Sequence, residues 1–218
     1  MKALSRTYII IIAAVIVIAA IGAALVVMMS QPQATGTVKI GFLGPLQTEF
    51  GDVGLKSVQL AVEEINRAGG VLGRKIEIVT YDDGNAPDKG VSGFRKLVEE
   101  DKVVAVFGIH ASPVGLAILP LIQQYKIPVF AMGATSDVID INVSNNPGYR
   151  YWFRFNTNAS THALFVYYPA KMIAQQLGLK KFGLLYDNAP WTAPVVSTVK
   201  NAIKQDGFEL VYEGTIDI

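Results

Sequence analysis

Short apolar runs alternate with stretches of helical period along this chain from residue 38 onward. Val38 to Leu43 is a β-branched and apolar run closed by Gly44-Pro45, which predicts a first strand. Val58, Ala61, Val62 and Ile65 then recur at i, i+3, i+4 and i+7 and predict a buried helix face, closed by Gly69-Gly70. Lys75 to Tyr81 reads as a second strand, and Asp88 as the cap of a helix that buries Val91, Phe94 and Val98. Val103 to Phe107 and Val129 to Ala131 read as strands, joined by a helix that Pro120 should kink or restart. Asn142 to Tyr149 reads as a loop, and Tyr151 to Phe155 as an aromatic strand with Arg154 on one face, solvated or structurally paired.

Asn156 to Thr161 looks like a crossing into a second unit. There Ala163, Tyr167, Ala170, Ala174 and Leu177 mark a helix that Pro169 should kink. Lys181 to Tyr186 and Glu209 to Thr215 read as strands around a helix that buries Val196, Val199 and Ile203, with a loop over Asp187 to Pro190. Strands alternating with helices predict an α/β fold with parallel sheets.

The pattern carries functional weight between Val103 and Ser136. A right-handed helical crossover between parallel strands places both following loops on one sheet edge, where open α/β sheets bind ligands. Those loops are His110-Ala111-Ser112-Pro113 and Gly133-Ala134-Thr135-Ser136. Ser112 followed by Pro113 reads as a helix cap, and a helix start with a hydroxyl suits a carboxylate. Thr135 and the Gly133 carbonyl could accept from an ammonium, a pairing that suits an α-amino acid. The plainer reading leaves Ser112 as a cap and Thr135 as a turn residue.

At these residues the chain resembles the type I periplasmic (solute-binding) proteins of ABC importers, in the leucine/isoleucine/valine-binding branch. The resemblance covers about residues 38 to 218. It rests on IGFLGPL at Ile40–Leu46, AVEEINRAGGVLGRKIEIVTYDDG at Ala61–Gly84, Phe107 to Ser112, IPVFAMGATS at Ile127–Ser136 and GLLYDNAPW at Gly183–Trp191. It implies that Ser112 binds a ligand carboxylate and that Gly133 and Thr135, with Ala134 between them, hold an ammonium. Phe50 falls where the family often has an aromatic packed on the ligand, and Trp191 at an aromatic facing the cleft from the second lobe. Two departures are the short loop Gly44 to Gly51 and Pro113 in place of a small polar residue. The fold implied is the periplasmic-binding-protein type I fold, two doubly wound parallel-sheet lobes with the second incomplete, after an N-terminal transmembrane helix. Lobe 1 would span residues 38–156 and a partial lobe 2 residues 157–218.

Tyr8 to Met29 carries no charge over 22 residues, long enough as a helix to span the bilayer hydrocarbon. Lys2 and Arg6 precede it, so residues 1–7 should stay cytoplasmic and the remainder lie outside, after a tether at residues 30–37. A cleaved signal peptide is the alternative; the long core ending in Val-Val-Met-Met favours an anchor. A formal net charge of +1 leaves no basic surface for nucleic acid. The absence of cysteine excludes disulfides, thiolate metal sites and a cysteine nucleophile.

His110 and His162 lie in different segments, which argues against zinc, and His110 reads as pocket wall or loop geometry. Asp82-Asp83-Gly84 reads as a turn rather than a metal or phosphoacceptor site. No phosphate-binding glycine motif and no serine nucleophile elbow appears. The expectation is a binding protein without cofactor, which captures a small solute such as a branched-chain amino acid and delivers it to an ABC permease. A receptor ectodomain of the same fold and an anchored α/β enzyme are the alternatives.

Overall fold

The computed structural model describes residues 16–23, 36–187 and 191–216. Five strands form a fully parallel sheet in the order β2-β1-β3-β4-β5: β1 (Thr37–Gly44), β2 (Lys75–Asp82), β3 (Val106–Phe107), β4 (Val129–Ala131) and β5 (Trp152–Arg154). Five helices accompany these strands and the crossing that follows: α1 (Glu49–Arg67), α2 (Pro87–Arg95), α3 (Ser112–Tyr125), α4 (Asp137–Asn145) and α5 (Ala159–Gln176). Two further strands, β6 (Lys181–Asp187) and β7 (Glu209–Ile216), pair in parallel around α6 (Thr192–Gln205).

The strand order reverses between β1 and β3, so the chain leaves these two neighbours toward opposite faces and opens a crevice at their carboxyl ends. Period-two alternation decides which side chains meet the core. Val106, Val129 and Trp152 lie in register and are buried, with Phe94, Leu97, Val114, Ile118, Ile122 and Ile139 of the helices in the same core. Their neighbours Phe107, Phe130 and Phe153 stack across the opposite face at centroid distances of 4.8 and 5.2 Å.

The elements expected from periodicity are present, with corrections at their ends. Val103 to Phe107 is a two-residue strand by regular pairing, although Val104 donates to the Lys39 carbonyl and extends the contact with β1. Ala86, with no side-chain cap, precedes α2, and Asp88 lies in its first turn; Pro87 sets the start there instead. On the α1 face expected to be buried, Val58 and Val62 are partly buried while Ala61 and Ile65 are exposed, and Gly51 is the buried residue of that helix. Asn142 to Tyr149 is α4 and a 3-10 turn rather than a loop, because Ser136 caps it by accepting from the Val138 N–H at 3.2 Å. Pro120 and Pro169 each lie inside one uninterrupted helix. A proline removes one intrahelical bond; in α3 the burial of Ile118, Leu119, Leu121 and Ile122 on both sides of it outweighs that loss. Of the apolar run Tyr8–Met29, residues 16–23 are helical and exposed, and the rest lies outside the described residues. Among the described residues no helix is long and apolar enough to cross a membrane.

The second unit packs Ala163 and Tyr167 of α5 against Val199 and Ile203 of α6, with Phe182, Leu184 and Leu210 beneath them. Tyr167 donates to Asp206 at 2.7 Å, and Lys171 pairs with the same carboxylate at 2.7 Å, which fixes α5 to the end of α6.

Asp82 and Asp83 act as turn formers. Asp82 Oδ1 accepts from the Leu46 and Gly84 N–H groups at 3.0 Å each, and Asp83 Oδ1 accepts from Asn85 at 2.8 Å. Asp83 is wholly buried, and its Oδ2 lacks a hydrogen-bond partner among the described residues. Burial raises its carboxyl above the ordinary range, the Asn85 N–H opposes that shift and neighbouring Asp82 adds to it. The folded chain therefore binds this proton more tightly than the unfolded chain does. Between the ordinary carboxylate value and the raised one, stability falls as pH increases. Asp83→Asn should flatten urea-denaturation midpoints across that window; a profile parallel to wild type would contradict the assignment.

Candidate functional site

Three loops meet at the carboxyl edge of β1, β3 and β4. The loop after β1 is short: Thr48 Oγ1 donates to the Pro45 carbonyl at 2.8 Å and accepts from the Gly51 N–H at 3.2 Å. Gly51 is required there, since a Cβ would lie 2.1 Å from the Pro45 carbonyl oxygen. This tight turn sets Phe50 at the start of α1, where its ring stacks on His110 at 4.9 Å and an interplanar angle of 20°. Phe50 remains 66% exposed, so the stack leaves much of its ring open toward the crevice.

The loops after β3 and β4 are joined through backbone. His110 accepts from the Ala134 N–H, and Ile109 from the N–H groups of Met132 and Gly133 at 3.2 and 3.1 Å. A Cβ on Gly133 would lie 2.4 Å from the His110 carbonyl oxygen and 2.9 Å from its ring, so only glycine permits this approach. The imidazole thus lies against both Phe50 and Gly133. Burial lowers its pKa, which keeps the ring neutral at pH 7.

Ser112 differs from its expected role as a cap. Ala111, in extended conformation, precedes the helix, Ser112 is already helical, and Pro113 falls one position further in. The Ser112 hydroxyl accepts instead from the Ser136 N–H at 3.1 Å, across the two loops. An accepting hydroxyl still has its own proton to donate, here beside the N-terminal turn of a 14-residue helix. A carboxylate is the ligand group that such a donor and a helix start favour.

Gly133, Ala134 and Thr135 follow β4 directly. Ala134 adopts φ +54°, a left-handed conformation that costs a non-glycine residue about 1–2 kcal/mol. Its carbonyl accepts from Arg154 Nη1 at 3.1 Å, and the Thr135 carbonyl accepts from the Ala159 N–H at 2.7 Å. The Thr135 hydroxyl carries no hydrogen bond among the described residues. Arg154, expected to be solvated or paired, is paired: it holds Asp140 through two contacts of 2.6 and 2.7 Å.

The structure therefore brings Phe50, Ser112, Gly133, Ala134 and Thr135 to one edge and adds His110, which sequence reasoning treated as wall. Trp191 stands elsewhere, immediately before α6, with its ring edge-on to His162 at 6.4 Å. No ring contact joins it to Phe50 or His110 among the described residues. Two surface hollows lie along α6, one beside Tyr186 and Lys200 and one beside Ile203 and Phe208, away from the loop edge. Both are shallow and open, and neither contains the convergent donors of the loop edge.

A doubly wound parallel sheet with polar groups and an aromatic stack at its switch point, continued into a second parallel unit, is an architecture compatible with ligand binding at the sheet edge. The chain belongs to the periplasmic binding protein family, whose model matches residues 37–217. It is 30% identical over 203 residues to Leu/Ile/Val-binding protein homolog 8 of Brucella suis, covering 87% of this chain and 48% of that protein. Among solved structures it is similar to the branched-chain amino acid transporter substrate binding protein LivJ of Streptococcus pneumoniae in complex with isoleucine, with 26% identity and TM-score 0.70 over 83% of this chain and 49% of that one. A solute binding protein of an ABC transporter from Rhodopseudomonas palustris, in complex with 3,4-dihydroxy benzoic acid, has 26% identity and TM-score 0.66 over 83% and 47% of the two chains. The chain spans about half the length of the curated relatives it matches.

Gly133→Ala should force the loop away from His110 and lower stability by about 1–3 kcal/mol, the usual cost of overfilling a packed site. Urea denaturation checks this; an unchanged midpoint would show that the loop approach is not as close as described.

Proposed function

We propose that this chain is the extracytoplasmic solute-binding component of an ABC importer, which captures a small carboxylate solute, a branched-chain amino acid foremost, and delivers it to the permease. The observation that carries the reading is the bond from the Ser136 N–H to the Ser112 hydroxyl, which sets a helix start beside the Gly133–Thr135 turn at the switch edge. Ser112 donates to the solute carboxylate, and the Gly133 carbonyl and Thr135 hydroxyl accept from its ammonium. Ala134 supplies the turn between them. Phe50 packs on the apolar part of the solute, and Trp191 closes over it from the second lobe as the two lobes come together. Such closure needs a solute that binds the closed state better than the open one.

Similarity to one structure that holds isoleucine and another that holds 3,4-dihydroxy benzoic acid supports a carboxylate common to both. The flat Phe50–His110 stack favours keeping aromatic acids in the ligand panel beside aliphatic amino acids. The apolar run Tyr8–Met29 anchors the chain with its N-terminus in the cytoplasm and the binding lobes outside.

A thermal melt of the full chain in detergent, with isoleucine, leucine, valine, benzoate or 3,4-dihydroxybenzoate, checks the assignment. A bound solute at about a hundred times its dissociation constant should add roughly 2.7 kcal/mol, and Ser112→Ala should abolish the gain. A cooperative melt that none of these solutes moves would refute the carboxylate assignment.

A further inference from the structure

Arg154 lies on β5, outside the loops that meet the solute, yet it reaches two elements at once. One nitrogen donates to the Ala134 carbonyl at 3.1 Å while another holds both oxygens of Asp140 at 2.6 and 2.7 Å. Asp140 also accepts from Asn158 Nδ2 at 3.0 Å, and Asn158 caps α5 by accepting from the Thr161 N–H at 2.9 Å. Two more bonds run in parallel with this chain of contacts: Ala159 N–H to the Thr135 carbonyl at 2.7 Å, and Ser160 Oγ to Asp137 at 2.6 Å. Thr198 of α6 donates in turn to Ser160 Oγ at 3.4 Å. The turn that presents Gly133 and Thr135 is thus bonded directly to the first residues of the second unit. The Arg154 side chain is 11% exposed and that of Asp140 36%, so the guanidinium is buried while its carboxylate partner keeps access to water.

We propose that Arg154 is a positioning residue for solute capture: it holds Ala134 in its left-handed turn and, through Asp140 and Asn158, couples that turn to the start of the second lobe. The proposal rests on the solute reading of the Gly133–Thr135 loop, but its physical core is independent of any ligand. An arginine is needed because its planar fork serves the Asp140 carboxylate through one terminal nitrogen and the Ala134 carbonyl through the other. Lysine offers a single ammonium and cannot bridge both in this geometry. The coupling also predicts that displacement of the loop by a solute moves the beginning of α5, rather than leaving the crossing at residues 155–158 as a free joint.

Amide hydrogen exchange on the full chain in detergent tests this with Arg154→Lys, and with the near-isosteric Asp140→Asn as a second variant should the first fold poorly. The amides of Ala134, Ser136 and Ala159 should exchange about tenfold faster, the loss of roughly one bond's net contribution, while Val106 and Val129 in the sheet keep wild-type protection. Titration with isoleucine should show a dissociation constant raised by at least about the same factor. Unchanged exchange at all three amides, or equal acceleration throughout the sheet, would overturn the positioning role. A wild-type chain that ignores isoleucine while the same three amides loosen would support the hold on the loop and count against the amino-acid reading instead.

Discussion

The constraint on which the site depends is the contact between the His110 carbonyl and the residues after β4. Parallel crossovers bring the two loops to the same edge, but edge placement alone leaves many angstroms of freedom. The bond from Ala134 and the bare Cα of Gly133 remove that freedom. Ser112 and Ser136 then meet, His110 is trapped under Phe50, and the Ala134 carbonyl turns toward Arg154. Ser112, Gly133 and Thr135, the solute contacts proposed above, stand together because backbone packing, not side-chain choice, sets their spacing.

The same physics accounts for what the described residues leave uncovered. Parallel sheets are normally helix-covered on both faces. In the first unit, α2 to α4 bury one face, whereas Phe153 and Phe155 on the other are 46% and 71% exposed. In the second unit Leu185, Val211 and Tyr212 are all more than half exposed on a two-stranded sheet. At roughly 25 cal/mol per Å² these apolar faces represent a substantial unrealised stabilisation.

Much of this was legible in residue order, because alternation and glycine punctuation specify parallel units strongly. Both loops of the site, and the pairing of Arg154 as one of its two expected states, could be read that way. The misses have local causes. Ser112-Pro113 looks like a cap pair, yet the chain enters the helix one residue earlier, and the hydroxyl finds a better donor across the loops. The helix at Asp137–Asn145 was hidden behind polar turn formers, although Ser136 followed by Asp137 is the capping signal that could have revealed it. His110 reads from sequence as pocket wall or loop geometry; its stack on Phe50 is not legible there because that partner lies sixty residues away. The role proposed for Trp191 would need lobe closure, which no local pattern encodes.

The most direct test of a carboxylate site at the loop edge is amide chemical-shift mapping of the full chain in detergent micelles on addition of isoleucine, with 3,4-dihydroxybenzoate in parallel. The account predicts saturable shifts centred on Ser112, Gly133, Thr135 and Ser136, with smaller ones at His110 and Phe50. Saturable shifts confined to the hollows along α6, around Tyr186 and Lys200, would contradict it.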